Sequence, residues 1–581
     1  MPGTPVHHHR AFGSGDASRP AGPRGRRALA ALAAASLLAA AAPARAQALP
    51  PQVAPQIDPG LINRQNQRNE SQILEQTRTP DLGPAVLSGP SQPGTLAAPG
   101  GPTFLLKKVA FDPSTFLTRQ ELDAIAAPYL GRRVDINTVQ RIVKAVNDVY
   151  AERKIATAAA YLPPQDLKSG TLRIGIVEGK LGKVDVKNNS ALSADYLRGR
   201  IGGTPGEVVD PNVLADRVAG FNKTGVAQVQ AFLQPGAQFG LTDIQLGVLE
   251  PPTNALQLFV DNQGVRSVGR TEGGFLFQRY APLGFDDKFL AYLVRSGGDI
   301  AGNFGYNMPV GDSGARVGAT VSRGHITIIN GPFAPLEVEG DSTTTAFNAS
   351  QPVFVDQRWL LLALGSVSYT RSTSTQSKVP ITDNDTLKGT AGLTLGYTGD
   401  TFAASVSPSF SRAQTQFNAV QRGQDFDLAS GTYAASYRLP ESFVATLGGA
   451  FQVASRDLLP GDSLFQIGGP TTVRGYPTDA LAGPTGYFGN LELHRNLAPV
   501  GAWLDIGPSL DTVDAYAFYD RGGIYSSAAP RAVTLNSLGV GLSDAVTKNL
   551  LAEVSAGFPI NDAIPRQSNY EFYFRITAKL D

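Results

Sequence analysis

The residues best placed for chemistry lie in two late segments of the chain. Residues 466–495 (QIGGPTTVRGYPTDALAGPTGYFGNLELHR) begin as a Gly/Pro-rich loop and end as a strand, with Val473-Arg474-Gly475-Tyr476 near the middle. Downstream, Phe518-Tyr519-Asp520-Arg521-Gly522 reads as a strand with Tyr516, Phe518 and Asp520 on one face. The chemistry on offer is ionic. An arginine fork meets a carboxylate through two parallel hydrogen bonds and so fixes a loop tip in position. A charge withdrawn from bulk water is costly without such a partner. Asp520 is one candidate partner for Arg474. Glu492, turned inward by its alternation with Leu491 and Leu493, is a second. Taken alone, these residues leave another reading open, in which Arg474 is an exposed loop charge.

No catalytic constellation accompanies them. The chain contains no G-x-S-x-G, no H-E-x-x-H and no P-loop. Cysteine is absent, so neither disulfides nor thiolate metal sites are available. Three of the five histidines are His7, His8 and His9, which leaves little for a metal cluster. The expectation is no enzyme activity, no cofactor and no metal. Charged residues make up 17% of the chain and the net charge is +1, which lacks the basic excess of a nucleic-acid-binding protein.

The elements that must position the two segments form a long β-region, residues 253–581. Its pattern is period-2 alternation. Tyr570, Phe572, Phe574, Ile576, Ala578 and Leu580 face one way, and Glu571, Tyr573, Arg575, Thr577, Lys579 and Asp581 face the other. Ten-residue segments, apolar on one face and small or polar on the other, are the pattern of a membrane barrel. Closure satisfies every strand edge where lipid offers no hydrogen bonds. At about 20 residues per strand and connection, this region makes roughly 16 strands. A large soluble β-protein is the competing reading, since sandwich strands alternate too.

Ahead of the β-region lie two α/β units and a leader. Arg24, Arg26 and Arg27, the apolar run 28–42 and Ala44-Arg45-Ala46 read as an export signal over residues 1–46. The run is shorter than the roughly 20 residues that span a bilayer. Residues 47–102 are rich in Pro, Gln and Asn, with a polar helix over about 61–78 and an extended Pro/Gly tether after it. Residues 103–180 read β-α-α-β-β: Thr118-Arg119-Gln120-Glu121 is a capping box, and Val139, Ile142, Val143 and Val146 make one helix face. Residues 181–252 repeat that order more loosely, with Asp210 as N-cap and Pro211 at the first helical position.

In this setting the chain resembles the two-partner secretion transporters, the TpsB or ShlB/FhaC/HecB-like haemolysin secretion and activation family. Val473–Tyr476 matches the family's lumenal-loop motif V-R-G-Y/F. Phe518, Asp520 and Gly522 match its barrel-wall motif F-x-D-x-G. Residues 161–179 and 233–250 resemble the ends of its two POTRA domains, and residues 260–284 the start of its barrel. One departure is the C-terminus: the family usually ends in an aromatic residue, and this chain ends in Leu580-Asp581, leaving Phe572 and Phe574 as stand-ins.

The resemblance implies a transmembrane antiparallel β-barrel preceded by two periplasmic α/β POTRA domains, in the outer membrane, working as a monomer. It implies that Arg474 folds back into the barrel and pairs with Asp520, and that residues 61–78 stand where the family carries its plug helix. It implies three partners: an unfolded TpsA-type exoprotein, outer-membrane lipid and lipopolysaccharide, and the BAM complex for the chain's own assembly. The implied function is capture of the exoprotein by the POTRA domains and its passage through the barrel to the cell surface, with haemolysin activation as one form of it. The alternative is a BamA- or TamA-type assembly factor, which shares V-R-G-Y/F but carries five or three POTRA domains. A passive porin is a weaker rival, because porins lack the α/β units.

Overall fold

The computed structural model describes residues 58–75, 86–88, 103–187, 190–498, 512–526 and 532–580. The export signal expected over residues 1–46, and most of the segment 47–102, lie outside the described residues.

A helix opens the described chain: α1 (Pro59–Glu75). It starts two residues before the expected position because Asp58 caps it, accepting from the Gly60 N–H at 2.8 Å, with Pro59 pre-set for the first turn. A short strand follows, β1 (Val86–Ser88). The first α/β unit runs β2 (Phe104–Leu105), β3 (Lys108–Phe111), α2 (Arg119–Ala126), β4 (Arg133–Val134), α3 (Ile136–Glu152), β5 (Ala158–Tyr161) and β6 (Thr171–Glu178). Thr118 and Glu121 form the expected reciprocal cap. The Glu121 carboxyl is held down at about 2, first by the Thr118 N–H, then by the Thr118 hydroxyl and Arg153. Val139, Ile142, Val146 and Tyr150 of α3 pack on Leu172 and Ile174 of β6 in a common core. β2 and β3 are separated at Leu106, whose side chain is buried and whose N–H turns to the Arg132 carbonyl.

The second unit runs β7 (Lys180–Lys187), α4 (Ala194–Ile201), α5 (Pro211–Thr224), β8 (Gln228–Pro235) and β9 (Leu241–Leu249). Its sheet order is β1-β8-β9-β7. The expected tether is therefore not wholly unpaired. Val86–Ser88 adds a parallel strand to the outer edge of β8, with Leu87 opposite Phe232.

Sixteen antiparallel strands then close into a barrel. They are β10 (Asn254–Asp261), β11 (Glu272–Tyr280), β12 (Lys288–Arg295), β13 (Asp299–Val310), β14 (Ala315–Thr327), β15 (Val338–Val355), β16 (Trp359–Gln376), β17 (Val379–Thr398), β18 (Phe402–Phe417), β19 (Arg422–Arg438) and β20 (Phe443–Ala454). A small hairpin, β21 (Phe465–Ile467) with β22 (Leu481–Gly483), stands apart from the wall. The wall resumes with β23 (Thr485–Asn496), β24 (Val513–Tyr525), β25 (Val533–Thr547), β26 (Leu550–Pro559) and β27 (Glu571–Leu580). β10 pairs with β27, Leu258 opposite Ala578, and closes the ring. No described helix is long and apolar enough to cross a membrane. The strands are: Phe347, Val367, Phe410, Val540 and Ile576 are exposed on the outer face, while Thr386, Thr415 and Ser537 between such positions are buried inside. Each residue pair thus divides lipid from lumen.

The second unit is joined to the barrel at the turn between β11 and β12. Asp286, fully buried and left-handed at φ +63°, accepts from the N–H groups of Val226 and Ala227 at 2.9 Å each. It also accepts from the Tyr280 hydroxyl and from Arg316, both at 3.0 Å. Four donors from two bodies converge on one carboxylate. Asp286→Ala leaves two amides unpaired, Val226 half-buried and Ala227 buried, the buried one at about 1–3 kcal/mol. With spin labels at Gln238→Cys and Ser377→Cys, the substitution is expected to broaden the distance distribution between unit and barrel. An unchanged distribution would place the joint elsewhere.

Candidate functional site

The loop between β20 and β23 folds back inside the barrel, and its tip meets the wall at β24. Alternation along β24 turns Tyr516, Phe518 and Asp520 inward, all buried, with Asp520 fully so. Register sets Asn490 opposite Asp520, Glu492 opposite Phe518 and His494 opposite Tyr516. The neighbouring strand β25 makes room with glycines. A Cβ on Gly539 would lie 2.1 Å from the Phe518 ring, and one on Gly541 would lie 2.2 Å from the Tyr516 ring. Both rings therefore lie flat along the wall and leave the space above them to the loop.

Arg474 occupies that space. Its Nε and Nη2 donate to the two oxygens of Asp520 at 2.8 and 2.7 Å, and its backbone N–H donates to the same carboxylate at 2.9 Å. Nη2 also reaches Glu492 Oε1 at 2.6 Å. The guanidinium carbon stands 3.5 Å above the centre of the Phe518 ring, a cation–π placement that strengthens when water is excluded. Both carboxylates suggested by the strand pattern thus meet Arg474, with Asp520 supplying the bidentate contact. Arg474 is only 6% exposed, which rules out an exposed loop charge.

The rest of the motif explains itself by space. Val473 is fully buried against Gly522, where a Cβ would come within 2.9 Å of its methyl. Gly475 takes φ +87°, a left-handed conformation that favours glycine. It lies backbone to backbone against β26, so a Cβ on Gly557 would sit 2.4 Å from the Gly475 nitrogen. The Tyr476 hydroxyl lies 3.0 Å from the Asn536 carbonyl and from Asn561. Tyr573 of β27 donates to the Tyr476 carbonyl at 2.7 Å and accepts from the Gly475 N–H. Asn490 donates to Asp520 at 2.8 Å. Asn490, Gly557 and Tyr573 were not singled out from sequence. The inward parity of β23 and β27 was the only available signal for two of them.

The second lumenal body is α1. Leu61 packs with Phe426 and Leu428, Ile62 with Ile326 and Ile328, and Ile73 with Phe259 and Tyr292. The remaining contacts are polar. Asn66 donates to Asp299 at 2.8 Å, Asn69 to Glu272 at 3.0 Å, and Gln67 to Ser322 at 3.0 Å. Arg64 donates to the carbonyls of Asp462 and Leu464 at 2.8 and 2.7 Å, which ties the helix to the lumenal loop. A helix polar almost all round is stable here because the lumen is polar as well. Beside it Arg575 of β27 bridges to Asp261 of β10 at 2.8 Å across the closing seam. Among the described residues no cluster could hold a metal ion.

Close backbone approach makes Gly557 a sharp test of how the loop is seated. Gly557→Ala is expected to dislodge the tip and admit trypsin at Arg474 in an otherwise heat-modifiable barrel. Gly448→Ala, whose Cβ would meet nothing within 4 Å, serves as the control. Equal protection in both variants would contradict the seating described.

Comparison with known proteins places this architecture. The family described as haemolysin secretion/activation protein ShlB/FhaC/HecB matches residues 240–543, and the ShlB-type POTRA domain matches residues 104–179. The outer membrane transporter CdiB of Dickeya dadantii is 24% identical over 529 residues, covering 87% of this chain and 92% of its own length. The heme/hemopexin transporter protein HuxB of Haemophilus influenzae is 24% identical over 482 residues, covering 78% and 83%. Among solved structures, CdiB from Escherichia coli superposes with a TM-score of 0.67 at 21% identity, covering 92% of this chain and 100% of that one. The chain belongs to the ShlB/FhaC/HecB family of haemolysin secretion/activation proteins.

Proposed function

We propose that this protein exports an unfolded exoprotein through the outer membrane by two-partner secretion. The α/β units are periplasmic POTRA domains that take hold of the exoprotein, and the barrel passes it to the cell surface. The supporting observation is what fills the lumen. One helix and one loop occupy it. The helix is held largely by side-chain hydrogen bonds that water can replace, and the loop by the Arg474–Asp520 pair together with the buried apolar side chains of Phe465, Ile467, Val473 and Tyr476. α1 plugs the resting pore and must leave. Arg474 and Asp520, with Glu492 beside them, anchor the loop that keeps the pore competent.

Capture by strand addition suits a cargo of any sequence, because backbone groups do the binding. In the second POTRA domain that edge already carries Val86–Ser88, so a substrate strand on β8 must take its place. In the first, β5 is an edge strand. No ATP is available in the periplasm, and folding of the cargo outside the cell supplies the drive. Residues 1–46 serve as the export signal, the BAM complex inserts the barrel, lipid and lipopolysaccharide surround it, and a single chain forms the pore. Its work is transport, without a catalytic step. Two POTRA domains rather than five or three favour export over barrel assembly.

Loss of the gene should remove one large exoprotein from the culture supernatant. Arg474→Ala and Asp520→Ala should each abolish its secretion while leaving a heat-modifiable barrel. Normal secretion by both variants rejects the anchoring role, and a supernatant unaltered by gene loss rejects export. Deletion of Pro59–Glu75 is expected to raise single-channel conductance in planar bilayers, and unchanged conductance rejects the plug.

A further inference from the structure

Two glycines on the outer face of the barrel answer to nothing in the protein. Gly365 of β16 and Gly389 of β17 take ordinary strand backbone, and a Cβ on either would meet nothing within 4 Å. Among the described glycines only Gly448, which faces the lumen, shares both features. Glycine inside a strand weakens it and often marks a place where a ligand or another backbone approaches closely. The lipid-facing positions around the pair carry bulk instead: Phe347, Val367, Leu387, Leu393 and Phe410 are all exposed.

Strand register makes a groove of them. One row across the sheet reads Ala349, Gly365, Ala391 and Phe410, each directly opposite the next. The row above it reads Phe347, Val367, Gly389 and Arg412. Ala349, Gly365 and Ala391 form a floor with no side chain longer than a methyl group. Phe347 and Val367 wall one side, and Phe410 closes the end. Gly389 leaves a gap in the wall that opens beside Arg412. The groove holds about 740 Å³, and its lining is apolar as far as Arg412.

The gap points to the outer leaflet. Lys223 of the second α/β unit donates to the Asp356 carbonyl at 3.0 Å, which puts the β15–β16 turn on the periplasmic side, and the β17–β18 turn with it. β18 leaves that side at Phe402. Arg412 lies about ten residues further along, the length of strand that crosses the hydrocarbon. Outward positions before it are Val406, Pro408 and Phe410, and those after it are Gln414 and Gln416. Arg412 is therefore the first charged group on β18 above the apolar belt. Asp425 and Asp427 each stand 3.4 Å from it on the exposed surface. Exposed pairs of this kind are worth about 0–1 kcal/mol, so another anion can displace them.

We propose that this groove binds lipopolysaccharide, with one acyl chain of its lipid A along the Ala349–Gly365–Ala391 floor and a lipid A phosphate on Arg412. The outer leaflet of a Gram-negative outer membrane is built of that lipid. No hydrophobic force separates a lipid chain from a lipid-facing wall, so the groove selects by close van der Waals fit, and the headgroup supplies the rest. A guanidinium forks onto phosphate oxygens through two parallel hydrogen bonds. Asp425 and Asp427 then face the divalent cations that accompany lipopolysaccharide phosphates, for which carboxylates are natural ligands. The bound chain fills the space that the two glycines leave in the wall.

This inference rests on the reading that lipopolysaccharide surrounds the barrel, and the two can fail separately. Native mass spectrometry of the full-length transporter in detergent, titrated with purified lipid A or with phosphatidylglycerol, reads the binding. The unaltered protein is expected to take up one lipid A ahead of any phosphatidylglycerol. Arg412→Ala should weaken lipid A binding about tenfold, the worth of one charged hydrogen bond. Gly365→Phe fills the floor and Gly389→Phe fills the gap, and each should weaken it at least as much. Both barrels should stay heat-modifiable, because an aromatic residue suits a strand better than glycine does. Val540→Phe, on the outer face of β25, adds bulk elsewhere and should bind as the unaltered protein does. Equal lipid A binding by the unaltered protein and the three groove variants overturns the site and leaves lipopolysaccharide as the surrounding lipid. Phosphatidylglycerol held as tightly as lipid A overturns the identity of the occupant. No lipid A held by any form overturns the groove and the surrounding lipopolysaccharide together.

Discussion

A guanidinium inside a membrane barrel has to be neutralised where it stands. Arg474 meets that demand with Asp520, Glu492 and the face of Phe518, and much of the late barrel is arranged around the result. The inward parity of β24 supplies the carboxylate and the aromatic floor. Gly539 and Gly541 on β25 let the rings lie flat, and Gly522 admits Val473. Gly475 and Gly557 allow backbone to meet backbone, and Tyr573 closes the arrangement from the last strand. Removing one partner of a buried ion pair costs about 3–5 kcal/mol, much of it for the charge left behind. The ion pair acts with the buried side chains of Phe465, Ile467, Val473 and Tyr476 to hold residues 455–484 in one place, against a chain-entropy cost of about 1–2 kcal/mol for each residue fixed.

The same constraint organises the lumen as a whole. Lipid outside demands a closed ladder, and the closed ladder leaves the interior to side chains. On the seam side these are charged and serve to hold α1 and the loop. Asp299 and Glu272 receive Asn66 and Asn69, and Arg64 returns a bond to the loop carbonyls. On the facing strands many are small hydroxyls that bond one another, such as Thr390 with Ser411 and Thr394 with Ser407, and Phe426 and Leu428 of β19 receive Leu61 of α1. A polar helix can therefore be stable in the barrel and still be exchangeable, because each of its polar contacts has an aqueous equivalent.

Much of this was legible in the residues. Period-2 alternation identifies the barrel, and the parity of Phe518 and Asp520 already aims them the same way. Thr118 and Glu121 mark a helix start through one local pattern, and Asp210 with Pro211 marks another. What escaped sequence reading was carried by long-range contacts. Arg575 stood on the inward face of the last strand, but its partner Asp261 lies 314 residues earlier, on a strand that only closure brings beside it. Asp286 sits in a short turn like many others, and its four donors come from β11, β14 and the second α/β unit. Val86–Ser88 reads as linker because three residues between prolines carry no periodicity, and only the open edge of β8 makes them a strand.

The account turns on whether Arg474 and Asp520 act as one clamp on the loop tip. Amide hydrogen exchange over residues 470–476, measured in Arg474→Ala, Asp520→Ala and the double variant, reads this most directly. If the clamp holds the tip, each single substitution raises exchange there, and the double variant rises no further than the single ones, because the interaction is already gone. Amides that stay protected in both single variants, or effects that simply add, would contradict it.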